Sequence, residues 1–218
     1  MLMRSGQSPF STAEIYDPYK GARFDEPVRR QLPSMKVIHT QIPEVLIFEP
    51  KVFGDSRGYF FESYQTDRYA THGIAAPFVQ DNMSRSVRGV LRGLHLQNPR
   101  TQGKLVTVLR GTILDVAVDV RVGSPTFGQH VAAELSEDNR SQMWIPRGFA
   151  HGFLVLSESA DFFYKCDEFY SPADEIAVRW DDPSIGIKWG IESPTLSARD
   201  AAALPLAEVQ GLPRYDGC

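Results

Sequence analysis

The sequence predicts an all-β domain, a sandwich or barrel of short strands with a few short peripheral helices. From Met35 onward, short apolar runs are separated by Gly, Pro, Asp and Asn at intervals of about ten residues, a spacing typical of sheets built from many short strands. Helix signals are confined to two short stretches. A chain of 218 residues is long enough for one large domain or two small ones. The number of strands leaves little room for a second domain.

Each predicted strand is an apolar or alternating run bounded by turn residues. The predicted strands are 36–40, 45–49, 59–64, 78–82, 105–110, 113–120, 130–135, 141–145, 152–155 and 162–167.

The run 114–120 shows the alternation most clearly. Its three valines share one face, whereas Asp115, Ala117 and Asp119 share the other. We expect one of these two faces to belong to the core.

The two predicted helices are short and peripheral. Thr66 can cap a helix that runs to His72 and stops at Gly73. A second helix can start at Ser197 and continue through the alanines that precede Pro205.

Residues 1–34 lack helical and strand periodicity and contain several prolines, so we expect a poorly ordered or surface-wrapping extension before a single domain over residues 35–218. This N-terminal segment also lacks the apolar stretch of a signal peptide, which disfavours secretion by that route.

Charge and composition exclude several classes of partner. The 23 Lys and Arg residues and 27 Asp and Glu residues give a net charge of −4, so no basic surplus points to nucleic acid or to an anionic membrane. No run is apolar and long enough to span a bilayer. The two cysteines, Cys166 and Cys218, form neither a disulfide framework nor a CxxC metal motif. A reducing, cytoplasmic location fits best.

Three polar segments lie in strand-like surroundings: residues 55–62, residues 92–97 with Lys104 shortly after, and residues 146–152. The third has the form PxGxxH and resembles the second motif of cupin barrels. Metal-binding cupins carry HxH and a later Glu in their first motif, which suits iron or manganese. This chain reads His95-Leu96-Gln97 there, without the Glu, and a metal site is not expected.

The ordered motifs extend this resemblance to a family. Seven segments resemble, in the same order, those of the dTDP-4-dehydrorhamnose 3,5-epimerases of the cupin superfamily. They are FGDSRGYFFESY, VQDNMSRSVRGVLRGLHLQ, QGKLVTVLRGTILDVAVDVRVGSPTFG, WIPRGFAHGFLVLS, FFYKCDEFYSP, RWDDPSIGIKW and LSARDA. The similarity runs from about Met35 to about Pro205. It implies a cupin jelly roll and a homodimer, and it leaves residues 1–34 as either a real extension or a misplaced start.

The resemblance also implies a reaction without a cofactor. The C4 ketone of a dTDP-4-keto-6-deoxyhexose acidifies the protons on C3 and C5, so a base can remove them. By similarity His95 is the base, Asp200 is its carboxylate partner, and Tyr164 returns the proton from the other side. Lys104 matches the cation beside the C4 oxygen, where the enolate charge develops.

Further matches fall on substrate-binding positions of the family. Arg57 and Arg92 correspond to diphosphate contacts, for which a guanidinium fork is well suited. The remaining matched residues are Glu62, Gln80, Asn82, His151, Tyr170, Glu175 and Arg199.

Several of these residues also have a purely structural interpretation. Asp200 lies three residues after Ser197, where it can stabilise a helix start. Tyr164 can be a core tyrosine, and His151 a turn residue. Lys104 shares a strand face with Val106 and Val108, where a lysine must be paired or functional.

Strict strand alternation sends Arg92 and His95 to opposite faces. If both line one pocket, Gly93 must mark a bulge or a strand end.

Two other functions remain open at this stage. An epimerase acting at C3 alone, or at C5 alone, on a related dTDP-4-keto-6-deoxyhexose would need the same base, acid and lysine. A catalytically silent sugar-nucleotide binding protein would need the arginines but could lack the base, so the joint presence of His95, Lys104 and Tyr164 argues against it.

Overall fold

Residues 35–217, the part of the chain that the computed structural model describes, form two large sheets and a small hairpin. The predicted extension over residues 1–34 lies outside the described residues. The elements are β1 Lys36–His39, β2 Leu46–Glu49, β3 Phe53–Asp55, β4 Gly58–Phe60, α1 Thr66–Ala70, β5 Gln80–Val87, β6 Leu91–Gln97, β7 Lys104–Arg110, β8 Thr112–Asp119, β9 His130–Ser136, β10 Gln142–Ile145, β11 Phe149–Val155, β12 Ser159–Cys166, β13 Glu175–Ala177 and α2 Ala198–Ala201. Short 3₁₀ turns occupy Pro172–Asp174 and Leu206–Glu208.

The first sheet has six strands in the order β1-β2-β10-β7-β12-β5, and the second has five in the order β13-β6-β11-β8-β9. Neighbouring strands pair in antiparallel fashion throughout both sheets. The hairpin consists of β3 and β4. The predicted mainly-β jelly-roll class is confirmed.

The inner faces of the two sheets share one apolar core. Val106 and Phe162 of the six-stranded sheet lie in the same buried cluster as Ala117, Val131 and Phe153 of the five-stranded sheet. Burial of apolar surface stabilises the folded state by about 25 cal/mol per Å², so this shared core stabilises the sandwich.

The outer face of the five-stranded sheet is buried as well. Val116 and Val118 of β8 pack with Trp189 and Leu206 from the chain that follows β13. One face of residues 114–120 is core, as expected, and the other face is buried as well, because this C-terminal segment covers it. Burial on both faces leaves Asp115 fully inaccessible to solvent.

The region before α1 departs from the predicted pattern. The strand predicted over residues 59–64 ends at Phe60. Beyond it the carbonyl of Ser63 accepts hydrogen bonds from Tyr69 Oη and Gln142 Nε2. Side chains therefore satisfy a backbone carbonyl that would bond to a neighbouring strand if the strand continued. The N-cap of α1 is Gln65 and not Thr66, since the Gln65 side chain accepts from Arg68 N.

Within residues 35–217, no helix is long and apolar enough to cross a membrane.

Candidate active site

A cavity of about 470 Å³ opens between the inner faces of the two sheets. Both sheets and the chain around α2 contribute to its wall. The predicted site residues that line it are Arg92, His95, Lys104, His151, Tyr164, Arg199 and Asp200, and they share it with Ser84, Val90, Leu91, Phe153, Phe162, Thr195, Leu196 and Ser197.

His95 and Asp200 form a hydrogen-bonded pair in this cavity. Nε2 of His95 lies 2.5 Å from Oδ1 of Asp200. Burial alone would raise the pKa of Asp200, but the hydrogen bonds from His95 and Ser197 outweigh burial and hold that pKa below its usual value. An ionised carboxylate can only accept, so Nε2 of His95 carries the hydrogen and Nδ1 is left as the basic nitrogen.

Ser197 serves both the helix and the site. Its side chain caps α2 by accepting from Asp200 N at 3.1 Å. The cap interpretation of Asp200 and its pairing with His95 are therefore both present. The cap fixes the backbone that carries the carboxylate.

A bulge in β6 brings Arg92 and His95 to the same cavity. On the neighbouring β11, His151 pairs with His95 and Phe153 pairs with Arg92, so two steps on β11 span three on β6. Gly93 lies within this irregular stretch with φ of 123°, a value that favours glycine. The predicted bulge at Gly93 is confirmed.

Lys104 and Tyr164 enter the cavity from the six-stranded sheet. Burial lowers the pKa of Lys104, against the opposing effect of nearby groups that include Glu175 and Asp115. Among the residues that the structure describes, none forms a hydrogen bond or ion pair with Lys104 Nζ. Burial also raises the pKa of Tyr164, so its phenol keeps its proton.

The two sheets therefore supply different chemistry. The five-stranded sheet contributes the imidazoles of His95 on β6 and His151 on β11, which are paired in register. The six-stranded sheet contributes the ammonium of Lys104 and the phenol of Tyr164. A ligand between the sheets has imidazoles on one side and an ammonium and a phenol on the other.

A polar strip continues from the cavity rim. Arg199 forms an ion pair with Glu175, whose carboxylate also accepts from Tyr170 Oη at 2.7 Å. The backbone nitrogen of Tyr170 donates to Gln80, and Gln80 donates to Asn82. These five predicted binding residues thus form one connected strip.

Arg57 and Glu62 are the two predicted binding residues that belong neither to the cavity lining nor to the polar strip. Arg57 lies in the exposed β3–β4 hairpin and pairs with Asp55 at 2.6 Å. Glu62 pairs with Arg68 at 3.2 Å.

Sequence reasoning missed Asp115 as a neighbour of the site. Its carboxylate Oδ1 lies 2.8 Å from Nε2 of His151, and both side chains are buried. The sequence signal for Asp115 was a carboxylate within an apolar strand, because such a strand is buried on both faces and a buried carboxylate needs a partner. Among the described residues there is no group of three or more His, Cys, Asp or Glu side chains that could hold a metal ion.

Comparisons with known proteins converge on one family. A family model described as dTDP-4-dehydrorhamnose 3,5-epimerase matches residues 39–208. The chain is 51% identical over 181 residues to the dTDP-4-dehydrorhamnose 3,5-epimerase of Pseudomonas aeruginosa, a match covering 82% of this chain and 100% of that protein. It is 55% identical over 172 residues to the enzyme of that name from Salmonella typhimurium, covering 78% and 94%.

A solved structure agrees with these matches. The crystal structure of dTDP-6-deoxy-D-glucose-3,5-epimerase from Legionella pneumophila, in complex with dTDP-4-keto-L-rhamnose, superposes with a TM-score of 0.82. Sequence identity is 54%, and the match covers 84% of this chain and 100% of that chain.

Proposed function

The chain belongs to the dTDP-4-dehydrorhamnose 3,5-epimerase family, and from that premise we propose how its cavity inverts two carbons of one sugar. The reaction is epimerisation at C3 and C5 of dTDP-4-dehydro-6-deoxy-D-glucose, which gives dTDP-4-dehydro-L-rhamnose. It serves dTDP-L-rhamnose biosynthesis. The enzyme is an isomerase, and its substrate and product have the same composition.

His95 acts as the base. The C4 ketone acidifies the hydrogens on C3 and C5, and Nδ1 of His95 takes each in turn while Nε2 remains bonded to Asp200. The electron pair of the broken C–H bond moves into an enolate whose oxygen is the former ketone. Asp200 stabilises the imidazolium that forms and holds the ring in one tautomer.

Lys104 stabilises the enolate oxygen. Its ammonium lacks an anionic partner in the described cavity, so the developing negative charge at C4 becomes that partner. The neutral ketone gains less from a fixed positive charge than the enolate does, and this difference lowers the barrier.

Tyr164 donates a proton to the opposite face of the enolate, which becomes the ketone again. The phenolate then takes a proton from solvent, and the imidazolium of His95 releases its proton to solvent before the second abstraction. The phenol of Tyr164 belongs to the sheet opposite to the one that carries His95. A proton delivered from that side gives the inverted carbon. The observation that carries this proposal is the convergence of His95, Lys104 and Tyr164 on one cavity from two opposing sheets.

Solvent deuterium tests the reaction. Incubation of the dTDP-4-keto sugar with the protein in D₂O is expected to place deuterium at both C3 and C5, as read by NMR. Label at C3 alone would show a C3-only epimerase, label at C5 alone a C5-only one, and no label with intact binding a silent binding protein. The variant His95→Asn is expected to lose incorporation at both carbons, and unchanged incorporation would contradict the assignment of the base.

The nucleotide half of the substrate lies against the polar strip in this proposal. Arg92, exposed at the cavity rim, is available for the diphosphate. The ring of Tyr170 is half exposed and offers a stacking surface for the thymine base.

We also propose that the working enzyme is a homodimer and that Arg57 acts in the cavity of the partner subunit. The β3–β4 hairpin exposes Tyr59 and Phe60, and the outer face of the six-stranded sheet exposes Met83 and Leu109. Exposed apolar surface of this kind marks an interface, and a second copy of this chain is its occupant.

Mixed dimers test the transfer of Arg57 between subunits. The single variants Arg57→Ala and His95→Asn are each expected to be nearly inactive. Co-expressed, they form mixed dimers in which one cavity has both His95 and an incoming Arg57, so activity is expected to return. No return of activity in confirmed mixed dimers would show that Arg57 acts within its own subunit.

We further propose a cytoplasmic location. Cys166, the free cysteine among the described residues, is buried and unpaired, which fits a reducing compartment. Cell fractionation checks this, and recovery of the protein outside the cytoplasm would contradict it.

A further inference from the structure

Asp115 is a buried carboxylate that the reaction described above does not use. It lies on β8 between Leu114 and Val116 with 0% of its surface exposed. Its Oδ1 meets Nε2 of His151 at 2.8 Å, while its Oδ2 is buried and has no hydrogen-bond partner in the described part of the chain. A half-satisfied buried carboxylate is costly, and native proteins retain few of them.

The strand register places this carboxylate directly behind the site. Asp115 pairs with Phe153 of β11, and His151 pairs with His95 of β6. His151 lines the cavity, whereas Asp115 does not. By direct contact Asp115 reaches the substrate only through the imidazole of His151, and at longer range its charge also favours the ammonium of Lys104.

The ring of His151 is held on a second side by packing. It stacks on Phe162 with ring centroids 5.8 Å apart and 23° between the planes. Stacking fixes the plane of the ring, and the contact with Asp115 fixes which edge points away from the cavity. Nδ1 is thereby left as the nitrogen that can meet a ligand.

The contact with Asp115 selects one tautomer of this ring. A carboxylate oxygen accepts, so in a neutral imidazole the hydrogen lies on Nε2, and Nδ1 of His151 keeps a lone pair.

We propose that Asp115 is a positioning residue, which holds His151 in the Nε2–H tautomer so that Nδ1 accepts a hydrogen bond from a hydroxyl group of the hexose. The inference rests on the proposed epimerase function and adds to it a binding contact with the sugar. His95 remains the base, and Asp115 touches neither the substrate nor the reacting carbons.

Two variants separate positioning from charge. Asp115→Leu removes the acceptor and keeps the branching at Cγ, and kcat/KM is expected to fall roughly ten- to hundred-fold, mainly through KM, as expected for the loss of one buried hydrogen bond. Asp115→Asn retains an acceptor oxygen without the charge, and it is expected to stay within about threefold of the wild type. An equal loss in both variants would show that charge matters and would overturn the positioning role.

Asp119→Asn is the matched control. Asp119 lies on the same strand face and is equally buried, but it bonds Arg121, Ser124 and Thr126. We expect its kcat/KM to be that of the wild type. A loss as large as that of Asp115→Leu would mean that any buried carboxylate on β8 has the same effect, which would overturn the proposal.

The ring ¹⁵N chemical shifts of His151 report its tautomer, which a purely structural role of Asp115 would not determine. The wild type is expected to show the neutral Nε2–H tautomer, with the signal assigned by its absence in His151→Asn. A Nδ1–H or doubly protonated ring would overturn the proposal even if Asp115→Leu fails to fold. Deuterium incorporation by the wild type is measured in parallel, so that failure of the epimerase function is distinguished from failure of this inference.

Discussion

The charged form of Lys104 is disfavoured by burial in the free protein, and an anionic ligand would stabilise it. Burial lowers its pKa, which means that the surroundings disfavour the ammonium until an anion arrives. In the proposed mechanism the enolate oxygen is such an anion, so the penalty of burying the ammonium is relieved only as the reaction proceeds. An interaction accelerates a reaction only when it is stronger in the transition state than in the ground state.

Tyr164→Phe separates removal of the proton from its return. The variant keeps the ring and loses the hydroxyl, and the rate of inversion is expected to fall by about 10²- to 10⁴-fold, the usual range for loss of a general acid. His95 is intact, so exchange of solvent deuterium without inversion should continue. NMR of the recovered sugar measures both quantities. Equal loss of exchange and inversion would contradict the division of labour between His95 and Tyr164.

The pKa of Asp200 links the site to acid stability. It is lower in the folded chain than in the unfolded chain, where a value of about 3.9 applies. Between the two values the unfolded state binds the proton, so this contribution to stability is fully present above the unfolded pKa and is lost as pH falls through the folded pKa.

Urea unfolding measured from about pH 6 down to about pH 3 checks this linkage. The free energy of unfolding of the wild type is expected to decrease more steeply on acidification than that of Asp200→Asn. Parallel curves for the two proteins would show that the His95–Asp200 pair does not stabilise the fold.

At the scale of elements, the bulge in β6 decides which residues face the cavity. A methyl group added to Gly93 would lie 2.5 Å from Gly152 Cα and 2.7 Å from the carbonyl oxygen of His151, both of them backbone atoms on the neighbouring β11. Neither atom can move without separating the two strands. The approach of β6 to β11 therefore requires glycine here.

Gly93→Ala is accordingly expected to cost about 1–3 kcal/mol beyond the backbone strain, and to reduce activity because His95 and His151 both lie on these strands. Gly123→Ala is the control, since Gly123 also has a positive φ but nothing within 4 Å of an added methyl group. Thermal or urea unfolding measures the difference. Equal destabilisation in both variants would indicate that backbone strain alone accounts for the effect.

The element scale also shows what the sequence could and could not predict. Apolar patterning predicted β7, β8 and β9 to within one residue at each end, and it placed the start of β12 three residues late. It missed β6, since Arg92, Gly93 and His95 interrupt the apolar pattern of that strand. The motif LRGLH nonetheless identified His95, and the demand that Arg92 share its pocket predicted the bulge.

Other features depend on contacts that are distant in sequence. The role of Asp115 was not predicted because it depends on two distant contacts. One is the hydrogen bond with His151, 36 residues later, and the other is the C-terminal segment that covers the opposite face of β8. The distance of Arg57 from the cavity likewise depends on where the β3–β4 hairpin lies, which local pattern does not encode.

At the scale of the whole molecule, the described residues 35–217 supply three apolar clusters and the candidate cavity. The clusters draw on Met35 through Leu212, and the cavity on Ser84 through Asp200. The family match spans residues 39–208. We therefore expect residues 35–218 to be a single catalytic domain.

Deletion of residues 1–34, so that translation begins at Met35, tests this expectation. The shortened chain is expected to retain kcat/KM within about twofold of the full chain and to lose less than about 0.5 kcal/mol of stability, because the core that contributes most of the folding free energy remains. Steady-state kinetics and thermal unfolding of both chains, at equal protein concentration so that any dimer is compared fairly, provide the measurement. A large rise in KM at unchanged stability would contradict the expectation, because it would mean that the deleted segment contributes to substrate binding. A lower melting temperature at unchanged kcat/KM would instead place its contribution in the fold.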